Sequence, residues 1–340
     1  MAPPPPPWMA EAARRWLEEA GATVDGSGHR AFNALPLTGV RVSLADGGRA
    51  VCSLRVPAEL TDAEGRWHPG AIAAAADDVC AAAIMSVEGI IKVSVHYDIS
   101  YFSPANLHEE VELDGRVVEQ KGKLTAVTVE IRKKDSGELV AIGRQWMSAT
   151  RPKGPRHNQR PCSIAMDNDK SPSPSSPALA AAARRWLENP CDSLARSREH
   201  AAGDAFNAAV MPGFRVSIAE PGRLVCTFRV LATVTDAGGR FWHAGAVAAA
   251  VDNMCSAVVY TAGGVHVFTV NQAMSFFSPA PLGEEVEMDG RVVQRKGKMT
   301  AAVVEVRRKE SGELVAVGRQ WMTSTKARPE KKNGESRSKL

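Results

Sequence analysis

The chain contains one domain-sized segment twice, and this duplication constrains its fold more than any other feature. The stretch GVRVSLADGGRAVCSLRV at 39–56 returns as GFRVSIAEPGRLVCTFRV at 213–230, and residues 101–147 return almost unchanged at 276–322. A solenoid repeats every ~20–50 residues, so a repeat of this length indicates a duplicated domain instead. Each copy is long enough to bury a core of its own.

Composition divides the chain into five parts. A proline-rich arm and a short helix occupy residues 1–30. The segment 151–177 is rich in Pro and Ser and has no apolar periodicity, which is typical of a linker. We therefore expect one domain at 31–150, a helix plus the second domain at 178–325, and a basic tail at 326–340.

Within each copy the residues predict two strands, one helix and four further strands. Two alternating strands flank an Asp-Gly-Gly turn at 46–48, which is a hairpin signal. The segment from about Pro69 to Val87 is almost wholly Ala, Ile, Val, Cys and Met. A helix that is apolar on most faces must be buried. The pattern favours an α+β fold in which an antiparallel sheet wraps a buried helix, although spacing alone allows other α+β folds.

Composition also narrows the classes of partner. The formal net charge is only +4 over 340 residues, which argues against nucleic acid as the main partner. No metal-ligand spacing or Gly-rich phosphate loop appears, so neither a metal nor a cofactor is expected. The six cysteines form no CxxC pair and are interpreted as reduced thiols. No membrane span is expected, because Asp77 and Asp78 interrupt the most apolar run.

A set of short motifs recurs in both copies in the same order: a His-x-Gly triplet, an aspartate nine residues after the histidine, a hydroxyl residue on the next strand, and a Ser-Pro-Ala turn. These residues are His68-Pro69-Gly70, Asp77, Ser94 and 103–105 in the first copy, and His243-Ala244-Gly245, Asp252, Thr269 and 278–280 in the second. Together they resemble the single-domain hotdog thioesterases of the PaaI and acyl-coenzyme A thioesterase 13 type. The resemblance implies two tandem hotdog domains that form an intramolecular pseudo-dimer and hydrolyse acyl-CoA thioesters.

The resemblance also implies how such a site is assembled. N–H donors at a helix N-terminus hold the thioester oxygen, and a carboxylate activates water or attacks directly. Nine residues of helix span ~13–14 Å, so one helix cannot supply both parts and the carboxylate is expected from the other copy. Two unlike interface sites follow. Site one would combine Asp62, His68 and Gly70 with Asp252 and Thr269, and site two would combine Asp236, His243, Ala244 and Gly245 with Asp77 and Ser94.

Both sites depart from the family pattern at the positions that hold the thioester oxygen. Pro69 has no N–H, whereas Ala244 keeps one, so site two is expected to carry most of the catalysis. The family asparagine is replaced by Asp62 in one copy and Asp236 in the other, and an ionised carboxylate cannot donate to an oxyanion. The alternative function is therefore a catalytically weak or inactive acyl-CoA-binding protein.

Two further features concern partners and location. Lysines and arginines on the last strands could bind CoA phosphates or could form a solvated sheet edge: Lys121, Lys123, Arg132 and Lys133, and Lys296, Lys298, Arg307 and Arg308. The sequence ends in Ser338-Lys339-Leu340, a tripeptide that peroxisomal import receptors read at a free C-terminus. Peroxisomal location and a role in fatty acid metabolism are expected from it, with the cytoplasm as the alternative. Further dimerisation of the double unit stays open.

Overall fold

The structure is a computed structural model, and it describes residues 5–20, 32–149, 177–188, 205–263 and 267–324. The expected linker at 151–177 lies outside these ranges up to residue 176, and Pro177 begins a helix; the basic tail, the terminal tripeptide, Cys162 and Cys191 also lie outside. The expected peroxisomal location therefore stays a prediction from the sequence.

The first copy follows the predicted order of elements. A leading helix precedes a hairpin, a long helix and four strands. The elements are α1 (Pro7–Ala20), β1 (Arg41–Asp46), β2 (Arg49–Arg55), α2 (Pro69–Glu88), β3 (Val93–Tyr101), β4 (Glu110–Lys121), β5 (Leu124–Lys133) and β6 (Leu139–Ser148). The long helix begins at a proline, which suits a first helical turn, and is followed by Gly89 in the left-handed conformation that ends helices.

The second copy repeats this order, with a short α-helix before its hairpin where the first copy has a 3-10 turn at Phe32–Ala34. Its elements are α3 (Pro177–Glu188), α4 (Ala205–Val210), β7 (Arg215–Glu220), β8 (Arg223–Arg229), α5 (Ala244–Gly263), β9 (Val267–Phe276), β10 (Glu285–Lys296), β11 (Met299–Arg308) and β12 (Leu314–Ser324).

The twelve strands of the described residues belong to one antiparallel sheet, in the order β1-β2-β4-β5-β6-β3-β9-β12-β11-β10-β8-β7. Each half contributes six strands, and the halves join where β3 pairs with β9. Each six-stranded half-sheet packs against its own long helix. This is the tandem hotdog arrangement expected from the resemblance, and it is confirmed.

Helices α2 and α5 form the centre of the core. Every residue of α2 from Gly70 to Ser86 is buried, including both aspartates. Contrary to the expectation that no run could span a bilayer, both helices are long and apolar enough to do so. Inside the protein, however, 94% and 83% of those apolar windows are buried. The sheet and the facing helix cover this apolar surface, as they do for the core helix of a globular fold.

The two core helices approach each other closely through small residues near their N-termini. A Cβ atom added at Gly70 would lie 2.7 Å from Cβ and 2.8 Å from Cα of Ala249. The reciprocal contact joins Gly245 to Ala74 at the same two distances. Because the first turn of each helix lies beside the second turn of the other helix, groups from both copies meet at two places.

Candidate active site

The buried aspartates nine residues after each histidine are held by two side chains of their own copy. Oδ1 of Asp77 accepts hydrogen bonds from Oγ of Ser94, at 2.5 Å, and from Nε2 of Gln145. In the second copy Oδ1 of Asp252 accepts from Oγ1 of Thr269, at 2.8 Å, and from Nε2 of Gln320. Both carboxylates are more than 90% buried, at 6% and 3% exposure.

The two glutamines were missed by the sequence analysis. Gln145 and Gln320 occupy the same place in the repeated segment Gly-Arg-Gln-Trp-Met, on the helix-facing side of β6 and β12. A buried polar residue that recurs in both copies of an otherwise apolar strand face was the available signal. Each glutamine fixes Oδ1 of its carboxylate on the strand side, and Oδ2 of Asp252 faces the interface.

Each histidine of the His-x-Gly triplet caps its own helix. Nδ1 of His68 accepts a hydrogen bond from the N–H of Gly70 at 3.0 Å, and Nδ1 of His243 accepts from Gly245 at 3.1 Å. Nδ1 is thereby occupied as an acceptor, so the ring proton of the neutral histidine sits on Nε2. The N–H groups of Gly70 and Gly245, expected to hold the thioester oxygen, are already used by the caps.

The histidines face carboxylates of the opposite copy, and the two sites differ here. In site one, Nε2 of His68 lies 3.8 Å from Oδ2 of Asp252. In site two, Nε2 of His243 lies 3.7 Å from Oδ1 of Asp78, the residue after the expected Asp77. The residue that corresponds to Asp78 in the second copy is Asn253.

This single difference changes the electrostatics of site two. The pKa of Asp78 is raised to about 6, chiefly by burial and in smaller part by the nearby Asp77, while His243 opposes the rise. Burial tends to lower the pKa of His243, but Asp78 and Asp77 outweigh it and the pKa is raised. Site two is thus a coupled group of two carboxylates and an imidazole. Site one has one carboxylate and one neutral amide at the same places.

A cavity of about 370 Å³ lies at site one. It brings together residues of both copies, among them Asp62, His68, Pro69, Asp252, Asn253 and Thr269. Its remaining wall includes Trp186 of α3, Tyr260 of α5 and Phe268 of β9. The cavity is therefore bounded by polar groups where the two helices meet and by aromatic side chains farther out.

The aspartates that replace the family asparagine form turns. The carboxylate of Asp62 accepts from the backbone N–H groups of Glu64 and Arg66 and from Nε of Arg66, at 3.0, 2.9 and 2.8 Å. Asp236 likewise accepts from the N–H of Arg240 at 3.0 Å. The guanidinium of Arg66 also lies 4.0 Å from the ring centre of Phe268 of the other copy. Its charge offsets that of Asp62 beside the cavity.

A hydrogen bond from strand β3 fixes the start of α2. The hydroxyl of Tyr101 donates to the carbonyl oxygen of Pro69 at 3.0 Å and lies 3.4 Å from Oε1 of Gln272 in β9. Pro69 thus lines the cavity in a fixed position and contributes no N–H there. Ala244, its counterpart, retains its backbone donor.

The basic residues considered for CoA phosphates include four that already have acidic partners. Lys133 lies 2.9 Å from Glu138, and Arg308 lies 2.9 Å from Glu313. Arg132 and Arg307 pair with glutamates two positions earlier on their strands. The four lysines at the turns are exposed: Lys121, Lys123, Lys296 and Lys298. These lysines are solvated residues at the β4–β5 and β10–β11 turns, and they do not lie on the edge strands, which are β1 and β7.

The cysteines of the described ranges match the sequence interpretation. Four are free and buried, and burial raises the pKa of each thiol: Cys52, Cys80, Cys226 and Cys255. A thiol in such surroundings is a poor nucleophile, so none of these four is a candidate for covalent catalysis.

Comparison with known proteins finds the same family model in both copies. The model of the thioesterase superfamily matches residues 64–140 and 239–315. Human acyl-coenzyme A thioesterase 13 is 35% identical over 98 residues, which are 28% of this chain and 70% of that protein. The mouse protein of the same name is 32% identical over 97 residues, or 28% of this chain and 69% of its own length.

Solved structures match over nearly the whole chain. A tesB protein of Mycobacterium avium subs paratuberculosis covers 91% of this chain and 99% of its own, with a TM-score of 0.52 and 16% identity. A protein of unknown function with a hot dog fold, from Alicyclobacillus acidocaldarius, covers 87% and 98%, with a TM-score of 0.55 and 15% identity. At these identities the likeness concerns the fold.

Proposed function

This chain belongs to the thioesterase superfamily, and we propose that it hydrolyses an acyl-CoA thioester to the free acid and CoA at the interface of its two hotdog domains. The proposal rests on one observation above all. A carboxylate of one copy, Asp252, and a helix N-terminus of the other copy, at His68, lie beside one cavity of about 370 Å³.

The chemistry follows from these groups. Asp252 takes a proton from a water molecule as its oxygen attacks the thioester carbonyl carbon, and the C=O electron pair moves onto the oxygen. When this tetrahedral intermediate collapses, the C–S bond breaks and the CoA thiolate leaves with the proton from Asp252. Thr269 and Gln320 hold the other carboxylate oxygen, so that the basic oxygen points to the interface. The Nε2–H group of His68, which can donate a hydrogen bond, lies on the same interface side of Asp252.

We assign the greater activity to site one, in contrast to the expectation from Pro69 alone. The cavity lies at site one, where the group beside the catalytic carboxylate is the neutral Asn253. In site two that position is Asp78, buried beside Asp77 and 3.7 Å from His243. A second carboxylate there repels the negative charge that develops on the thioester oxygen.

The same observation supports a second role for site two. Its repulsion of an oxyanion affects the transition state more than the uncharged ground-state thioester. We therefore propose that site two binds acyl-CoA with little or no turnover. The alternative of an acyl-CoA-binding protein applies to this site and not to the whole chain.

The test compares two matched substitutions over a panel of acyl-CoA substrates, with free CoA measured colorimetrically. Asp252→Asn removes the base of site one and keeps its shape, so kcat should fall on the order of 10²-fold or more. Asp77→Asn is the matched change in site two and should cost much less. Equal losses would contradict the assignment to site one. An absence of hydrolysis by the unmodified chain over the whole panel would contradict the proposed function.

A further inference from the structure

Asn253 is a buried side chain with an unsatisfied donor. It is 2% exposed, and its Nδ2 has no hydrogen-bond partner among the described residues. It lines the site-one cavity together with His68, Pro69 and Asp252. Buried amide groups are nearly always paired, so an unpaired one beside a cavity indicates an absent partner that accepts hydrogen bonds.

Site one also lacks a donor. Pro69 has no backbone N–H, and the N–H of Gly70 is bonded to Nδ1 of His68 at 3.0 Å. Asp62 is an acceptor whose oxygens are engaged by Arg66 and the backbone. The start of α2 therefore offers the thioester oxygen little except Nε2–H of His68. The missing donor and the unpaired Nδ2 lie in the same cavity.

The two sites differ in opposite ways at two positions: the residue after the histidine, and the residue after the aspartate contributed by the other copy. Site one pairs a residue without an N–H, Pro69, with an amide donor, Asn253. Site two pairs Ala244, which keeps its N–H, with Asp78, which in its ionised form only accepts. A donor is present at one of the two positions in each site. We propose that Asn253 is a catalytic residue of site one, whose side-chain N–H binds the thioester oxygen in place of the backbone donor absent at Pro69.

This inference rests on the proposed thioesterase function and makes a separate claim about one residue. The hydrogen bond strengthens as negative charge develops on the oxygen, so its loss acts on kcat more than on KM. Removal of one donor of this kind costs about 10²–10³-fold in kcat.

The experiment isolates site one with Asp77→Asn in every variant and measures kcat and KM for an acyl-CoA that the unmodified chain hydrolyses. In that background, Asn253→Ala should lower kcat on the order of 10²-fold with little change in KM. Asn253→Asp, which copies Asp78 and keeps the side-chain shape, should lower kcat at least as much. Adding Pro69→Ala, which copies Ala244, should restore most of the kcat lost in Asn253→Ala.

Several results would overturn the inference. These are an unchanged kcat in both Asn253 variants, an effect on KM alone, a failure of Pro69→Ala to restore kcat, or an Asp77→Asn chain that no longer hydrolyses the substrate. Restoration by Pro69→Ala also excludes misfolding as the cause of the loss. If the unmodified chain hydrolyses nothing, the proposed function fails first and this inference with it. Hydrolysis that is insensitive to Asn253 overturns only the inference.

Discussion

Asp77 and Asp78 are neighbours in sequence, but they have different surroundings in the core. Asp77 is held by Ser94 and Gln145 of its own copy. Asp78 points across the interface to His243, and its Oδ2 has no hydrogen-bond partner among the described residues. An unpaired buried carboxylate oxygen is costly when the group is charged, which is why burial raises the pKa of Asp78 to about 6.

This pKa predicts a pH-dependent effect of Asp78→Asn on stability. The folded-state pKa, about 6, lies above the reference value of 3.8, so the folded protein binds the proton more tightly than the unfolded chain. The raised pKa of His243 acts in the same direction. The stability contributed by the Asp78 proton is present at pH 4 and is lost as the pH rises through about 6, whereas that contributed by the His243 proton is lost only above its reference value of 6.5. The free energy of unfolding of Asp78→Asn, relative to the unmodified chain, should therefore increase by on the order of 3 kcal/mol between pH 4 and 7.5.

Urea unfolding at several pH values measures this difference. Asp135→Asn, in the exposed turn between β5 and β6, is the control and should show no such trend. If the difference between Asp78→Asn and the unmodified chain is the same at pH 4 and pH 7.5, Asp78 has no raised pKa.

At the residue scale, the sequence predicted which residues lie in the sites better than it predicted which side chains they contact. The pairs Asp77–Ser94 and Asp252–Thr269 follow from the motif and are hydrogen-bonded in the structure. Which carboxylate would face His243 could not be predicted, because two adjacent aspartates differ in direction only by their place on the helix turn. The engagement of Asp62 by Arg66 likewise depends on the local turn, which brings residues four apart into contact.

At the scale of elements, the contact between α2 and α5 determines the geometry of both sites. The helices meet where Gly70 faces Ala249 and Gly245 faces Ala74, so each helix start lies beside the opposite carboxylates. The bounds of α2 were predicted within about one residue, because its largely apolar stretch begins at Pro69 and is followed by Gly89. The close approach was not predicted, since a His-x-Gly triplet was interpreted only as a source of N–H donors.

Gly245→Ala should destabilise the protein because the added Cβ would lie 2.8 Å from Cα of Ala74, a backbone atom that cannot move without shifting the helix. Overpacking of this kind costs about 1–3 kcal/mol, more than the gain in helix propensity. The melting temperature should fall, and activity should fall with it because the helices separate. Gly263→Ala is the matched control at the exposed end of the same helix, where the added atom meets only the mobile end of Arg295. Equal melting temperatures for the two variants would argue against a tight helix contact.

At the scale of the whole molecule, the two copies form one sheet through the β3–β9 pair. His96 contacts Ser275 at 3.0 Å, and Asn271 donates to Asp98 at 3.1 Å across this junction. The repeat alone predicted two domains of one fold. The junction strand could be inferred only from the family resemblance, because every strand of a hotdog sheet has a similar alternating pattern.

Either half expressed alone should lack a partner for β3 or β9 and for its core helix. Residues 1–150 and 178–325, produced separately, should therefore self-associate or aggregate, since an unpaired strand edge and an apolar helix face become exposed. Co-expressed halves should purify as a 1:1 complex and recover hydrolysis. Size-exclusion chromatography with light scattering measures the association state. A soluble monomeric half with full activity would contradict the intramolecular pseudo-dimer.

The junction of two unlike copies in one chain also affects how the sites can change over time. In a homodimer one gene encodes both subunits, so every substitution appears at both symmetric sites at once. Here a single mutation alters Asn253 or Asp78 and leaves its counterpart untouched. Covalent linkage keeps site one and site two in a 1:1 ratio in every molecule. Natural selection, or an engineer, can nevertheless change the residues of each site separately. One site can then specialise in hydrolysis while the other site keeps its affinity for the ligand.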